Sequence, residues 1–324
     1  ETPLIFCIIP PLMHGAAQIA TLSQWFMGST LVVVRKFDPE EIWNLFAAEG
    51  VNSVLITGDA MARPLVDALD AEPDRWDLSQ LVSVSSSAAL FSQSVKDRYL
   101  DQFPNLIITD SIGSTESGFN GLTYASKGAK ATAGGPTVAA GRDVVILDEE
   151  LKIIPDGDHR IGKLGRGGNI PLGYYNDPVK TAETFVIAAD GKRYAVSGDS
   201  AQWAGPGQMT MLGRGSVSIN SGGEKIFPEE VEQALKAHPA VFDCTVVGVS
   251  DERWGQKVAA VVQFRDGQVA TLVDLVDHTR THIAGYKVPR ELHVVEVILR
   301  SPSGKPDYRW AKELAESGTA KVEG

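Results

Sequence analysis

Cysteine, basic charge and long apolar runs are all scarce in this 324-residue chain. The two cysteines, Cys7 and Cys244, lie far apart inside the apolar runs IFCII and FDCTVV. A disulfide framework is therefore not expected; buried free thiols in a reducing, cytoplasmic setting are. No apolar run approaches the ~18 residues of a membrane helix, so no transmembrane segment is expected, and contact with a membrane surface is left open. Thirty Lys+Arg stand against 41 Asp+Glu, a net charge of -11. Without a basic stripe to meet a phosphate backbone, nucleic acid is excluded as an expected partner. Internal repeats and low-complexity tracts are missing too. The opening ETPLIFCIIPPLMHG has no basic stretch and no small-residue cleavage site, and is not expected to be a signal peptide. What is present is an ordinary globular composition, 43% hydrophobic and 22% charged, long enough for two domains.

Residues 31–110 alternate apolar strands with amphipathic helices. LVVVRK (31–36), VNSVLIT (51–57), LVSVSS (81–86) and NLIITD (105–110) read as strands. Between them, DPEEIWNLFAAEG carries a full helix signature: Asp38 as N-cap, Pro39 at the first helical position, Glu41 three residues after the cap and Gly50 past the end. Ile42, Leu45 and Phe46 share its apolar face. Further helices are expected at 60–70 and 92–102. Such alternation implies a parallel sheet covered on both faces. From about 134 glycine becomes dense and strands short, as in a β-rich subdomain. Beyond Gly213-Arg214 a smaller α+β unit follows, with GRGSVSINSGG (213–223) polar and small enough to be a hinge. The expected class is α/β, with a large domain at 1–214, its β-rich part at about 134–213, and a C-terminal α+β domain at 217–324.

Four segments carry chemistry. DSIGSTESG (110–118) reads as a glycine-and-hydroxyl loop at the carboxyl end of a strand, where α/β sheets bind ligands. Its Thr115 could hold a phosphate and its Glu116 a Mg²⁺ ion. In YAVSGDSAQW (194–203), Asp199 sits at an expected strand end and could accept two vicinal hydroxyls. In GRGSVSINSGGEKIFPEEVE (213–232), Arg214 could reach a ribose or phosphate, and Gly222-Gly223 permit close backbone approach. In SPSGKPDYR (301–309), Lys305 lies in a glycine turn where it can swing towards developing negative charge. Taken singly, each has an ordinary alternative: a polar turn, a Gly-Asp turn, a linker, an exposed lysine.

In this order, with PPLMHGAAQ and SSSAAL upstream and GRGGNIPLGYYNDPVKTAETF before Asp199, the segments resemble the adenylate-forming superfamily. The likeness spans essentially the whole chain and is strongest to bacterial, actinobacterial-type fatty-acyl-CoA synthetases. It implies an AMP-forming acyl-CoA synthetase using ATP, CoA and Mg²⁺. Lys305, Thr115 and Glu116 become the catalytic candidates, with Glu116 holding Mg²⁺. Ser87, Ala88, Asp110, Ser111, Ile112, Thr115, Asp199 and Arg214 would bind the nucleotide. Ser216 would lie at a hinge, Gly222 and Gly223 beside CoA, and His14, Gly15 and Gly118 near the acyl pocket.

The chain departs from the family pattern in three places. Ile112 stands where an aromatic often stacks on adenine, and Ser216 where the hinge usually has Asp or Lys. The upstream phosphate loop ending in Pro-Lys-Gly is not in the sequence, so a fragment of a longer enzyme is the expectation. Two alternatives stay open: a nucleotide-binding remnant without catalysis, and an adenylate former that delivers its acyl group to a carrier protein. The acid activated, beyond fatty or otherwise bulky and apolar, and the oligomeric state are not legible.

Overall fold

A computed structural model describes residues 4–129 and 135–318. The expected start of the β-rich part at about 134 and the last residues of the C-terminal domain lie outside the described residues. The chain divides into two compact units, Glu1–Lys130 with Pro302–Lys305, and Ala131–Ser301 with Pro306–Gly324.

The first unit runs β1 (Ile5–Ile8), α1 (Gly15–Phe26), β2 (Thr30–Val33), α2 (Pro39–Glu49), β3 (Ser53–Ile56), α3 (Gly58–Ala71), β4 (Ser83–Ser87), α4 (Gln93–Gln102), β5 (Ile107–Ser114) and β6 (Gly118–Tyr124). Its strands lie in the order β2-β1-β3-β4-β5-β6. Pairing is parallel as far as β5 and antiparallel from β5 to β6. Alternation along the strands divides the core between two faces. Cys7, Val54, Ile56, Val84 and Ile108 pack with residues of α2, α3 and α4, such as Trp43, Leu65 and Val95. Phe6, Ile8 and Leu55 pack with Ala17 of α1. The helix signature at 38–50 is realised in full: the Asp38 side chain accepts the Glu41 N–H at 3.1 Å, and Gly50 closes the helix with φ 63°. The buried face differs by one residue, because Trp43, donating its indole N–H to the Leu65 carbonyl at 2.9 Å, takes the inward position expected of Leu45.

In the second unit, β7 (Thr137–Ala140), β8 (Val144–Leu147), β9 (Ile153–Ile154), β10 (Gly162–Arg166), α5 (Pro178–Thr184), β11 (Phe185–Ile187), β12 (Arg193–Gly205) and β13 (Gln208–Arg214) form the β-rich part. Its strands lie in the antiparallel order β7-β13-β12-β10-β8-β9, with β11 also on β12. A single 3₁₀ turn, Gly215–Val217, leads into another sheet. This contains β14 (Ile219–Ser221), β15 (Glu224–Ile226), β16 (Val241–Asp251), β17 (Gly255–Phe264) and β18 (Glu291–Val294), ordered β15-β14-β17-β16 with β18 parallel to β17. Helices α6 (Pro228–Lys236) and α7 (Leu272–Arg280) contribute Val231, Leu235 and Leu275 to one side of its core, and α8 (Tyr308–Ser317) contributes Ala311 and Ala315 to the other. Cys7 and Cys244 are both free and fully buried; burial pushes the Cys7 thiol up to about 12 and the Cys244 thiol well above its ordinary range. No helix of the described residues is long and apolar enough to cross a membrane.

Candidate nucleotide and acyl-transfer site

The glycine-and-hydroxyl segment is not the open loop its composition suggests. Asp110–Ser114 continue β5, and only Thr115, Glu116 and Ser117 form the tip of a hairpin into β6. Pairing with β6 overrides the loop-like composition. A side chain at Gly113 would stand 2.4 Å from the Gly118 carbonyl, so only glycine lets the two arms approach. Inside the tip the Ser114 and Ser117 hydroxyls bond each other at 2.9 Å, and Asn120 donates to Ser117 at 2.8 Å. This leaves Thr115 exposed and Glu116 half-buried on a braced turn.

Neighbouring strands set the rest of this half-site. Ser87 at the end of β4 donates to the Ser111 carbonyl at 3.1 Å, and Ser111 donates to the Ser86 carbonyl at 3.2 Å. Ala88 follows in a left-handed backbone, φ 71°. The start of α3 pins this segment, with the Asp59 N–H on the Leu90 carbonyl at 2.8 Å and the Asp59 carboxylate accepting from Ser92. Asp110, although next to the nucleotide candidates, has its carboxylate committed to the Lys96 ammonium of α4; burial raises its pKa and Lys96 opposes that shift. Ile112 is half-buried on β5 opposite Gly121.

His14 caps the amino end of α1, and Gly15 begins that helix against the hairpin tip. A Cβ on Gly15 would lie 2.9 Å from the Thr115 hydroxyl oxygen, so the acyl-side candidates and the phosphate-side candidate are in direct contact. The His14 Nδ1 is buried without a hydrogen-bond partner. Burial, and then the positive charge of Lys305, lower the His14 pKa, which keeps the ring neutral at physiological pH. Lys305 is not the exposed lysine of the ordinary alternative. It is half-buried, and Gly304, with φ 80°, seats the loop against Thr57 and Ala60, at 3.3 and 3.4 Å from where its Cβ would be.

The ribose candidates lie in the second unit. Asp199 is not at a strand end; it sits inside the 13-residue β12, one residue after Gly198 with φ 88°. Register places it directly opposite Arg214 of β13, with Nε 3.5 Å from Oδ1, and Ser197 donates to its other oxygen at 3.0 Å. Ser216 occupies the 3₁₀ turn between the two sheets. Part of the expected polar hinge proves to be strand: Ser221 pairs with Glu224 across a two-residue turn of Gly222 and Gly223, whose φ values of 62° and 89° suit a type I′ hairpin.

Sequence reasoning missed the neighbours of that turn. Trp254 lies over Gly222, 2.7 Å from where a Cβ would be, and accepts the Gly222 N–H on its carbonyl at 2.9 Å. The Arg253 and Arg290 guanidiniums flank its ring at 4.7 and 5.4 Å. Two guanidiniums gathered at one ring suit the phosphates of a nucleotide. Composition around Trp254 carries no such signal, because Arg290 is brought there only by the fold.

The AMP-binding enzyme family matches residues 3–175, and the AMP-binding enzyme C-terminal domain matches residues 230–305. A medium/long-chain-fatty-acid–CoA/3-oxocholest-4-en-26-oate–CoA ligase of Mycolicibacterium smegmatis is 52% identical over 98% of this chain and 58% of its own length. A 3-oxocholest-4-en-26-oate–CoA ligase of Rhodococcus rhodochrous is 53% identical over 94% of this chain and 55% of its own. The chain therefore spans a little over half the length of the curated relatives it matches. Among solved structures, the amide bond synthetase McbA of Marinactinospora thermotolerans superposes with a TM-score of 0.79 at 24% identity, covering 96% of this chain and 61% of its own. ATP-bound MatB of Rhodopseudomonas palustris gives 0.78 at 21%, covering 96% and 60%. Those two likenesses bear on fold alone. With one family sequence model covering just over half of its length and another covering its C-terminal part, the chain belongs to the AMP-binding enzyme family.

Proposed function

We propose that this chain carries the active-site residues of an AMP-forming acyl-CoA synthetase of lipid metabolism, acting on a medium- or long-chain fatty acid or a sterol side-chain acid. The identities of 52% and 53% to ligases of those acids support the substrate class. The observation that carries the mechanism is the position of Lys305. Its loop groups with the unit that holds Thr115 and Glu116, packs on Thr57 and Ala60, and lies near enough to His14 for its charge to be felt there.

In the first half-reaction a carboxylate oxygen of the acid attacks the α-phosphorus of ATP, the bond to the bridging oxygen breaks, and diphosphate leaves. Such chemistry rests on positioning and charge neutralisation. Thr115 would hold the α-phosphate, Asp199 and Arg214 the ribose, and Lys305 would offset the charge on carboxylate and phosphate. Glu116, a half-buried carboxylate next to Thr115 in the hairpin tip, offers the hard oxygen donors Mg²⁺ takes together with substrate phosphates. When bound there, Mg²⁺ would supply Lewis-acid neutralisation of those phosphates. In the second half-reaction the CoA thiolate attacks the acyl carbon, the bond to the AMP oxygen breaks, and AMP leaves. Gly222 and Gly223 would line the thiol approach, Trp254, Arg253 and Arg290 would take the CoA nucleotide, and the 3₁₀ turn around Ser216 would be the pivot between half-reactions. We place the reaction in the cytoplasm, consistent with two free buried thiols.

The test is mass-spectrometric detection of acyl-CoA from this chain with CoA and Mg·ATP, using palmitate and 3-oxocholest-4-en-26-oate. A second arm supplies preformed acyl-adenylates instead of acid and ATP. Product in either arm supports the reading. Absence of product in both arms, with AMP still bound, overturns it in favour of a nucleotide-binding protein.

A further inference from the structure

Glu229, the second residue of α6, lies in a stretch, PEEVEQALK, that reads as an ordinary solvated helix start. The fold turns it inward. Although the residue keeps some exposed surface, its Oε2 is fully buried and has no hydrogen-bond partner. The carboxyl fills the space above Gly213, where a Cβ would meet Oε2 at 2.3 Å and Oε1 at 2.8 Å. Gly213 has φ 108°, so both its backbone and its missing side chain make room for Glu229. The backbone N–H groups of Arg214 and of Glu229 itself lie close enough to the same carboxyl to oppose the rise in its pKa. One acidic side chain thereby ties the first turn of α6 to the last residues of β13, immediately before the 3₁₀ turn at Gly215–Val217.

We propose that Glu229 is a positioning residue: its carboxyl fastens α6 to the Gly213–Arg214 backbone, holds Arg214 in register with Asp199, and lets go when it acquires a negative charge. The inference rests on the reading of Asp199 and Arg214 as the ribose pair.

The surroundings explain why charge and fastening oppose each other. The groups facing Glu229 are Asp199 from β12, Arg214 from β13, Glu232 one turn further along α6, and Tyr308 from α8, whose hydroxyl donates to Glu232. Two of these are carboxyls, and Arg214 points its guanidinium at Asp199 rather than at Glu229. Burial first, then Glu232 and more weakly Asp199, raise the Glu229 pKa to about 8; the two backbone N–H groups pull the other way. A neutral carboxyl satisfies the Arg214 N–H without placing a third negative charge among Asp199 and Glu232. An ionised one, with Oε2 unpartnered, is stabilised by moving out towards water, and the Arg214 backbone loses its acceptor. Glu229 keeps some exposed surface, so water lies close by for that exit.

The experiment compares wild type with Glu229→Gln, which keeps the shape and an acceptor oxygen but cannot ionise, at pH 7 and pH 9. A group titrating near 8 passes from about nine-tenths to about one-tenth protonated over that interval. If only the neutral form holds Arg214, AMP affinity measured by calorimetry falls about tenfold in wild type. It stays constant in Glu229→Gln, and Glu229→Ala binds at both pH values about as weakly as wild type at pH 9. A second readout needs no ligand: hydrogen-exchange protection of the peptide spanning Arg214–Val217, corrected for the intrinsic rate, drops with pH in wild type and not in Glu229→Gln. Superimposable pH dependences for wild type and Glu229→Gln in both readouts overturn the proposal. Loss of protection confined to wild type, with no AMP binding by any variant at either pH, upholds the fastening and overturns the nucleotide reading instead.

Discussion

Replacing Gly222 with alanine separates backbone strain from the contact with Trp254. Gly222 and Gly223 are the two central residues of one hairpin turn, with φ values of 62° and 89°. An L-residue at either position pays a left-handed backbone penalty of ~1–2 kcal/mol. Beyond that the positions differ. Space around Gly223 is open to 4 Å, whereas a Cβ on Gly222 would press to 2.7 and 3.1 Å on two carbons of the Trp254 ring. The ring is held by the Gly222 N–H on its carbonyl and by Arg253 and Arg290 on its faces, so relief requires moving a braced indole. Overpacking of that kind costs a further ~1–3 kcal/mol. Gly222→Ala should therefore destabilise the C-terminal sheet by ~2–5 kcal/mol and Gly223→Ala by only ~1–2 kcal/mol, read from urea unfolding. In the functional assay, Gly222→Ala should slow thioester formation from supplied acyl-adenylate far more than Gly223→Ala, with adenylate formation spared in both. Equal destabilisation by the two substitutions, or equal loss of thioester formation, would refute the argument that Trp254 and Gly222 form one surface.

Two further outcomes follow from local geometry. Ala88 holds φ 71° at the end of β4, so Ala88→Gly should raise stability by ~0.5–1 kcal/mol in urea denaturation, and a loss of stability would show that its methyl packs productively. His278 faces His238 and His282, with ring centroids 5.0 and 4.7 Å away, and its pKa is lowered by burial first and by those two rings next. An unfolded histidine with its ordinary value near 6.5 then binds more protons than the folded one, so the contribution is complete above pH 6.5 and is lost as pH falls through the lower folded value. His278→Gln should flatten the fall in stability between pH 7 and pH 5; an unchanged slope would place the titrating group elsewhere.

Much of the architecture was legible because local signals and tertiary packing agree. Asp38, Pro39 and Gly50 mark α2 residue by residue, and β1 and β3 bury both faces as their apolar composition implies, whereas the edge strand β2 leaves Val33 exposed. The readings failed where pairing overrides composition. Asp110–Ser114 look like a loop yet continue β5, because β6 returns along them, and Ser197-Gly198-Asp199 look like a turn yet lie inside β12. For the candidate site, motif order pointed to Thr115, Asp199, Arg214 and Lys305, but not to what surrounds them. The cover of Trp254 over Gly222, the commitment of Asp110 to Lys96 and the burial of Glu229 against Gly213 join residues distant in sequence, and periodicity cannot report such contacts.

The measurement that bears most directly on the account is the pair of half-reactions in Lys305→Ala. With palmitate and Mg·ATP, release of diphosphate should be lost, while thioester formation from supplied palmitoyl-adenylate and CoA should continue near the wild-type rate. Equal loss of both half-reactions, in a variant that unfolds at the wild-type urea midpoint, would contradict the assignment of Lys305 to adenylate formation and with it the proposed mechanism.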